Sequence, residues 1–294
     1  MSLAPEHADL PTVRAIPRRY VALALIVLAT VLVGVLIVIR NLNETNDTSD
    51  VETITPAPAS LLTSLGHVPT ATSAAVGVTS PDNPITPPSP THKVALWRSA
   101  GAGSGPVVFF YGAEFAPYAA AERWPLVVAL SRFGSFGQLG LMESSSSEAF
   151  SDTSTFTFWH VSYKSAWVDL RAVERYSALD PTGSGFTPLQ SLTPQEAEVV
   201  GTYDPAKQFP LLDIANHYVL VGSSFAPSVL DGLSQSQVAA DLAFPDSPVT
   251  EAVLASANEI TAAICTVTGE RPTDVCRARG VSAADARMDI DRVG

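Results

Sequence analysis

The chain has 294 residues, 46% of them hydrophobic, and a formal net charge of −12. Beyond residue 40 it carries three Lys and ten Arg against 27 Asp and Glu, a net charge of −14. Such a surface suits solvent and excludes nucleic acid as a partner, because phosphate binding needs clustered Lys and Arg. The five histidines are scattered singly and only two cysteines exist, so no metal or other cofactor is expected.

Residues 1–19 form a short arm containing Arg14, Arg18 and Arg19. Within residues 20–40, the run 21–39 (VALALIVLATVLVGVLIVI) is nineteen residues without a charge. At about 1.5 Å per residue a helix of this run reaches roughly 28 Å, near the hydrocarbon thickness of a bilayer. The run passes straight into Arg40, Asn41 and Leu42 with no small-residue cleavage site, which predicts one uncleaved transmembrane helix. Arginines dominate before the span, and Glu44, Asp47 and Asp50 follow it. The charge asymmetry predicts a single-pass protein of the cell membrane with its N-terminus cytoplasmic and its C-terminal domain extracytoplasmic.

Residues 41–91 read as a stalk. Its first part is polar and acidic; from Pro56 to Pro90 it becomes a semi-rigid spacer in which Pro81, Pro84, Pro87, Pro88 and Pro90 fix extended backbone. Leu61, Leu62 and Leu65 allow one short amphipathic turn there.

The folded domain is expected over 92–294, with an α/β pattern. The continuous apolar run 107–110 suits a buried central strand, and 118–133 suits a helix interrupted by Pro125. Strands are expected at 138–142 and 155–163. A helix over 192–200 takes Thr193 as N-cap with Pro194 in its first turn. A hairpin follows, 209–214 and 217–221 joined at Ala215 and Asn216, and then helices over 234–242, 248–267 and 282–290. Gly101 to Gly105 (GAGSG) precedes a strand and has no following Lys, so it is a loop rather than a phosphate cradle.

The junction FFYGAEFAPYAAAERW, strand to turn to helix, is the most specific feature. It resembles the active-site segment of thioredoxin-like proteins, where Cys-x-x-Cys at a helix N-terminus gains an acidic thiol from the helix dipole. With SSSSEAFSDTSTFTF, FPLLDIANHYVLVG and NEITAAICTVTGERPTDVC it is similar, in order, to the thioredoxin-related family catalogued as domain of unknown function 929, found in actinobacteria and archaea. The resemblance implies a thioredoxin-like mixed sheet flanked by helices, with Pro210 at the position of the cis-proline beside the dithiol. It also places Ala116-Pro117-Tyr118-Ala119 where that family has Cys-Pro-Tyr-Cys. Alanine forms no thiolate, so exchange at Ala116 and Ala119 is excluded.

Cys265 and Cys276 are expected to form a structural disulfide in an oxidising compartment, with a relocated redox pair as the alternative. Glu114, Glu122 and Arg123 flank the segment Ala116-Pro117-Tyr118-Ala119; Glu122 and Arg123 are expected as a solvated or paired surface feature of the helix, with a functional buried charge as the alternative. Phe115, Tyr118 and Trp124 are expected to line the groove where thioredoxin-like folds take their substrate. The chain is therefore expected to be a membrane-anchored, non-catalytic binding or accessory subunit that holds a partner protein. The alternative is an oxidoreductase or chaperone of disulfide metabolism acting through Cys265 and Cys276.

Overall fold

A computed structural model describes residues 54–77, 79–88, 95–100, 105–179 and 185–293, with side chains described as far as Met288. The transmembrane span expected at 20–40 lies outside the described residues. Among those described, no helix is long and apolar enough to cross a membrane.

The first described segment corrects the spacer expectation. Residues from 54 onward belong to the folded unit. They form strand β1 (Thr55–Pro56) and helices α1 (Ala59–Gly66) and α2 (Thr70–Val76). Leu65, Val76 and Ile85 enter the main hydrophobic core, and Leu61 and Leu62 pack against it. Burying those side chains, at about 1.5–3 kcal/mol for each large apolar group, outweighs the ordering cost of a short segment with weak helical periodicity. Within the expected spacer Thr86 pairs with Val219: the Thr86 N–H donates to Val219 O at 3.1 Å and the Val219 N–H to Thr86 O at 2.8 Å.

The body continues through β2 (Val107–Gly112), α3 (Pro117–Ser131), β3 (Gly134–Glu143), β4 (Ser154–Ser165) and β5 (Asp169–Glu174). There follow α4 (Pro194–Tyr203), β6 (Leu211–Ile214), β7 (Tyr218–Val221), α5 (Gln235–Asp241), α6 (Pro248–Thr268), α7 (Thr273–Cys276) and α8 (Arg279–Val293). Two sheets result. β1, β3 and β4 form one in that order, and β5, β2, β6 and β7 form a four-stranded second. In the second sheet β5 runs parallel to β2, while β6 and β7 are antiparallel to their neighbours. The fold is mixed α/β with sheets flanked by helices.

Every residue of β2 is buried, as expected for a strand covered on both faces. Its side chains alternate between two cores. Val108 and Phe110 enter the large one with α3 and α6, whereas Val107, Phe109 and Tyr111 enter a smaller one with Val199 and Val200 of α4.

α3 runs unbroken through Pro125. The missing donor and ring clash cost about 3 kcal/mol, but residues 119–130 are buried throughout, and that packing holds the helix together. α4 starts as the sequence predicts: the Thr193 N–H donates to Glu196 Oε2 at 2.7 Å and the Glu196 N–H to Thr193 Oγ1 at 3.3 Å. Ala215 and Asn216 both take positive φ, 55° and 62°, the turn geometry that matches the twist of a tight hairpin. α6 stops at Gly269, whose φ of 69° is the left-handed cap glycine adopts without strain. Cys265 and Cys276 are joined, tying the end of α6 to α7.

Candidate functional site

β2 ends at Gly112, and the turn 113–116 delivers the chain to α3. Ala116 is the N-cap residue and makes no side-chain cap, so the first-turn N–H donors lack the usual side-chain acceptor. Ala116, Pro117 and Ala119 are buried, whereas Tyr118 is 45% exposed. The Tyr118 ring meets the Phe150 ring edge-on at 6.0 Å, and Phe150 is itself 39% exposed. Two large aromatic side chains thus stand at the surface beside the two alanines.

Across from this turn, the Phe209–Pro210 peptide bond is cis, just before β6. The Pro210 carbonyl accepts from the Gly222 N–H at 2.7 Å. The residues preceding the two motif positions are in ring contact: Phe209 meets Phe115 edge-on at 5.8 Å. Phe186 stacks on Phe115 at 4.1 Å, and Tyr111 lies 5.1 Å from Phe209. The structure therefore brings Phe115 to the Phe209–Pro210 turn at one end of the sheet, while Tyr118 pairs with Phe150. A cavity of about 360 Å³ opens beside Phe209, lined also by Tyr111, Arg175, Tyr176, Leu192 and Lys207 but by neither Phe115 nor Tyr118. Burial pushes the Tyr111 phenol above its ordinary value, partly offset by the Arg175 charge, so it stays a neutral hydrogen-bonding group at physiological pH.

Trp124 departs from expectation. It is fully buried, donates through Nε1 to Ser154 O at 2.9 Å and packs on Phe156. A helical position one turn and a half beyond Tyr118 faces the core rather than the cleft, so Trp124 supports α3 and lines no groove.

Glu122 and Arg123 are not surface groups either; both are buried, as is Glu114. Arg123 forks onto Glu174 at 3.0 and 2.6 Å, with both side chains at 0% exposure, and its Nη2 also donates to Ala113 O at 3.1 Å. That last bond fixes the turn from inside. The Glu114 N–H donates to Tyr176 O at 2.9 Å and its carboxylate accepts from Thr157 Oγ1. Glu122 accepts from the N–H and Oγ of Ser224 at 2.8 and 2.5 Å. Burial drives the Glu122 carboxyl up to about 7, against those hydrogen bonds and with a contribution from nearby Glu259. On β6, burial likewise raises Asp213 to about 7 although both its oxygens accept from the Asn216 N–H at 3.1 Å.

Residues 100–266, more than half of the chain, match the sequence model described as Domain of unknown function (DUF929). The chain belongs to that family. Comparisons with curated proteins and with solved structures find no match. The DUF929 match contains the whole aromatic cleft and Cys265, but ends before Cys276, α7 and α8.

The DUF929 domain presents aromatic surface at Tyr118 and Phe150. Ala116 and Ala119 end in methyl groups, and both cysteine sulfurs are paired and buried, at 2% and 5% exposure. Neither lines the cleft cavity. Among the described residues no group of three or more His, Cys, Asp and Glu is placed to hold a metal ion. Sequence reasoning missed Phe186, Phe209, Tyr176 and Arg175. Phe209 lies beside Pro210, and Arg175 and Tyr176 follow β5, a strand whose charged residues hid its alternation; Phe186 had no such signal.

Proposed function

We propose that the domain is a thioredoxin-like binding module without redox activity, anchored to the extracytoplasmic face of the cell membrane by residues 20–40. In this role it serves as an accessory subunit that grips a segment of a partner membrane protein. The thioredoxin-like relationship is supported by the order β5-β2-β6-β7 with one parallel and two antiparallel pairings. It is also supported by a helix that starts directly after the central strand, and by a cis-proline leading into β6. The carrying observation for function is the exposed Tyr118–Phe150 pair beside the Phe115–Phe209 cluster. Aromatic side chains of this kind are the usual anchors of protein interfaces, and here they surround alanines that can do no exchange chemistry. Burial of both sulfurs argues against the disulfide-exchange alternative, since attack requires access.

The test is purification of the full-length protein from its own membranes in mild detergent, beside a Tyr118→Ser, Phe150→Ser double variant. A partner is expected to stay with the native chain through a salt wash and to fall at least tenfold with the variant. Recovery of the native chain alone, or equal retention by the variant, overturns the proposal.

A further inference from the structure

A cavity of about 610 Å³, within the size range of small-ligand sites, shares no lining residue with the aromatic cleft. One wall is the α1–α2 junction, where Leu65 and Val68 supply apolar surface; the other is α7 with the start of α8, including Val281. Arg132, the residue that ends α3, also lines it. Its Nη1 is held by Asn258 Oδ1 at 3.0 Å, Thr261 Oγ1 at 2.8 Å and Ala257 O at 3.4 Å. Its Nε and Nη2 make no hydrogen bond, and no carboxylate pairs with it, among the described residues. Desolvation lowers its pKa to about 10, the effect of surrounding a guanidinium with protein and giving it no counter-charge. Exposed Arg277 and Arg279 border the same cavity, against the single acid Asp274. Three guanidiniums thus face one carboxylate in a chain whose net charge is −12.

We propose that this cavity binds an anionic amphiphile, a small molecule with a carboxylate or phosphate head on a short apolar body. The head accepts from Nε and Nη2 of the Arg132 guanidinium, a planar donor array that suits either group. Arg277 and Arg279 draw the anion in, and the apolar body lies on Leu65, Val68 and Val281. The walls are fixed in two ways. Cys276 sits between Val275 and Arg277, both of which line the cavity, and its disulfide ties that wall to α6. At Gly280 a Cβ would fall 2.3 Å from Ser73 O, so only glycine allows α8 to approach α2 this closely.

The full-length chain in lipid nanodiscs is titrated calorimetrically with octanoate and with octyl phosphate, empty nanodiscs serving as blank and octan-1-ol as the uncharged control. Saturable binding of at least one anion is expected, at least tenfold tighter than octanol and at least tenfold weaker in Arg132→Met. Preference for octanoate or for octyl phosphate identifies the head group. Ala71 is exposed on α2 and lines the cavity without bonding to Arg132, so Ala71→Trp fills the space and is expected to abolish binding. That variant decides the matter if Arg132→Met fails to fold. Heats equal to those of empty nanodiscs for both anions, equal affinity for octanol, or binding that survives Ala71→Trp overturns the proposal.

Discussion

The aromatic cleft stands on the ends of β2 and β6, with its turn held from beneath by a buried ion pair. The basic cavity instead lies between short helices before and after the family-matched residues, with only Arg132 drawn from within them. In the first region, precision comes from strands paired on both sides and from the Arg123–Glu174 ion pair buried in the core. In the second it comes from a covalent bond, a glycine contact and one side chain: Arg287 donates to Gly77 O at 3.3 Å, to Thr79 O at 2.6 Å and to Glu259 at 2.5 Å. Damage to the core should therefore reach both regions, whereas damage to the flanks should reach only the cavity.

The strongest way to break this contrast is Arg123→Met. It strands Glu174 in the core, and loss of one partner of a buried pair costs about 3–5 kcal/mol. Chemical denaturation should show that loss, with cleft and cavity failing together. An Arg123→Met, Glu174→Leu double variant should recover much of it; no recovery would mean that the pair matters only through the Ala113 carbonyl. Next is Cys265→Ala with Cys276→Ala, which opens a loop of sequence separation 11. It should lower stability by about 3 kcal/mol in the chain-entropy view. Hydrogen exchange should rise in α7 and α8 while the amides of β2 and β6 keep their protection relative to the global transition. Uniform loss of protection would erase the distinction between the two regions.

The smallest effect concerns Glu122. Its folded-state pKa is raised from 4.5 to about 7, so the native state holds the proton to higher pH than the unfolded chain does. The stability it contributes is complete below pH 4.5, falls as pH rises to about 7 and is flat beyond. Asp213, also raised to about 7, gives a slope of the same sign. Glu122→Gln should flatten the pH dependence of the melting temperature between pH 4.5 and 7. An unchanged slope would assign the whole dependence to Asp213 and other groups.

Much of the sheet was legible in the sequence because its signals are local. The run 107–110, the Thr193 cap and the Ala215–Asn216 turn each carry their own geometry. β5 was not legible, since the charged residues of DLRAVE hide a strand that is ordered by pairing with β2. α1 showed only as a short amphipathic turn at Leu61, Leu62 and Leu65, and α2 was hidden, because their contacts lie with α3, α5, α6 and α8, far away in sequence. At the cleft, the degenerate motif pointed to Phe115 and Tyr118, and ring contacts added Phe209 and Phe186. Burial of Arg123 and Trp124 could not be read from helix spacing, because α3 is covered almost all round and has no solvent face to contrast with.

The Cys265–Cys276 bond joins a residue inside the DUF929 match to one outside it. Disulfides of this kind persist only where the surroundings are oxidising. The cavity wall is thus conditional on address: a chain retained on the reducing side of the membrane would keep its cleft but leave the basic pocket slack. Under the proposed placement, oxidation would act as a licence for capture of the proposed ligand, issued once the domain has crossed.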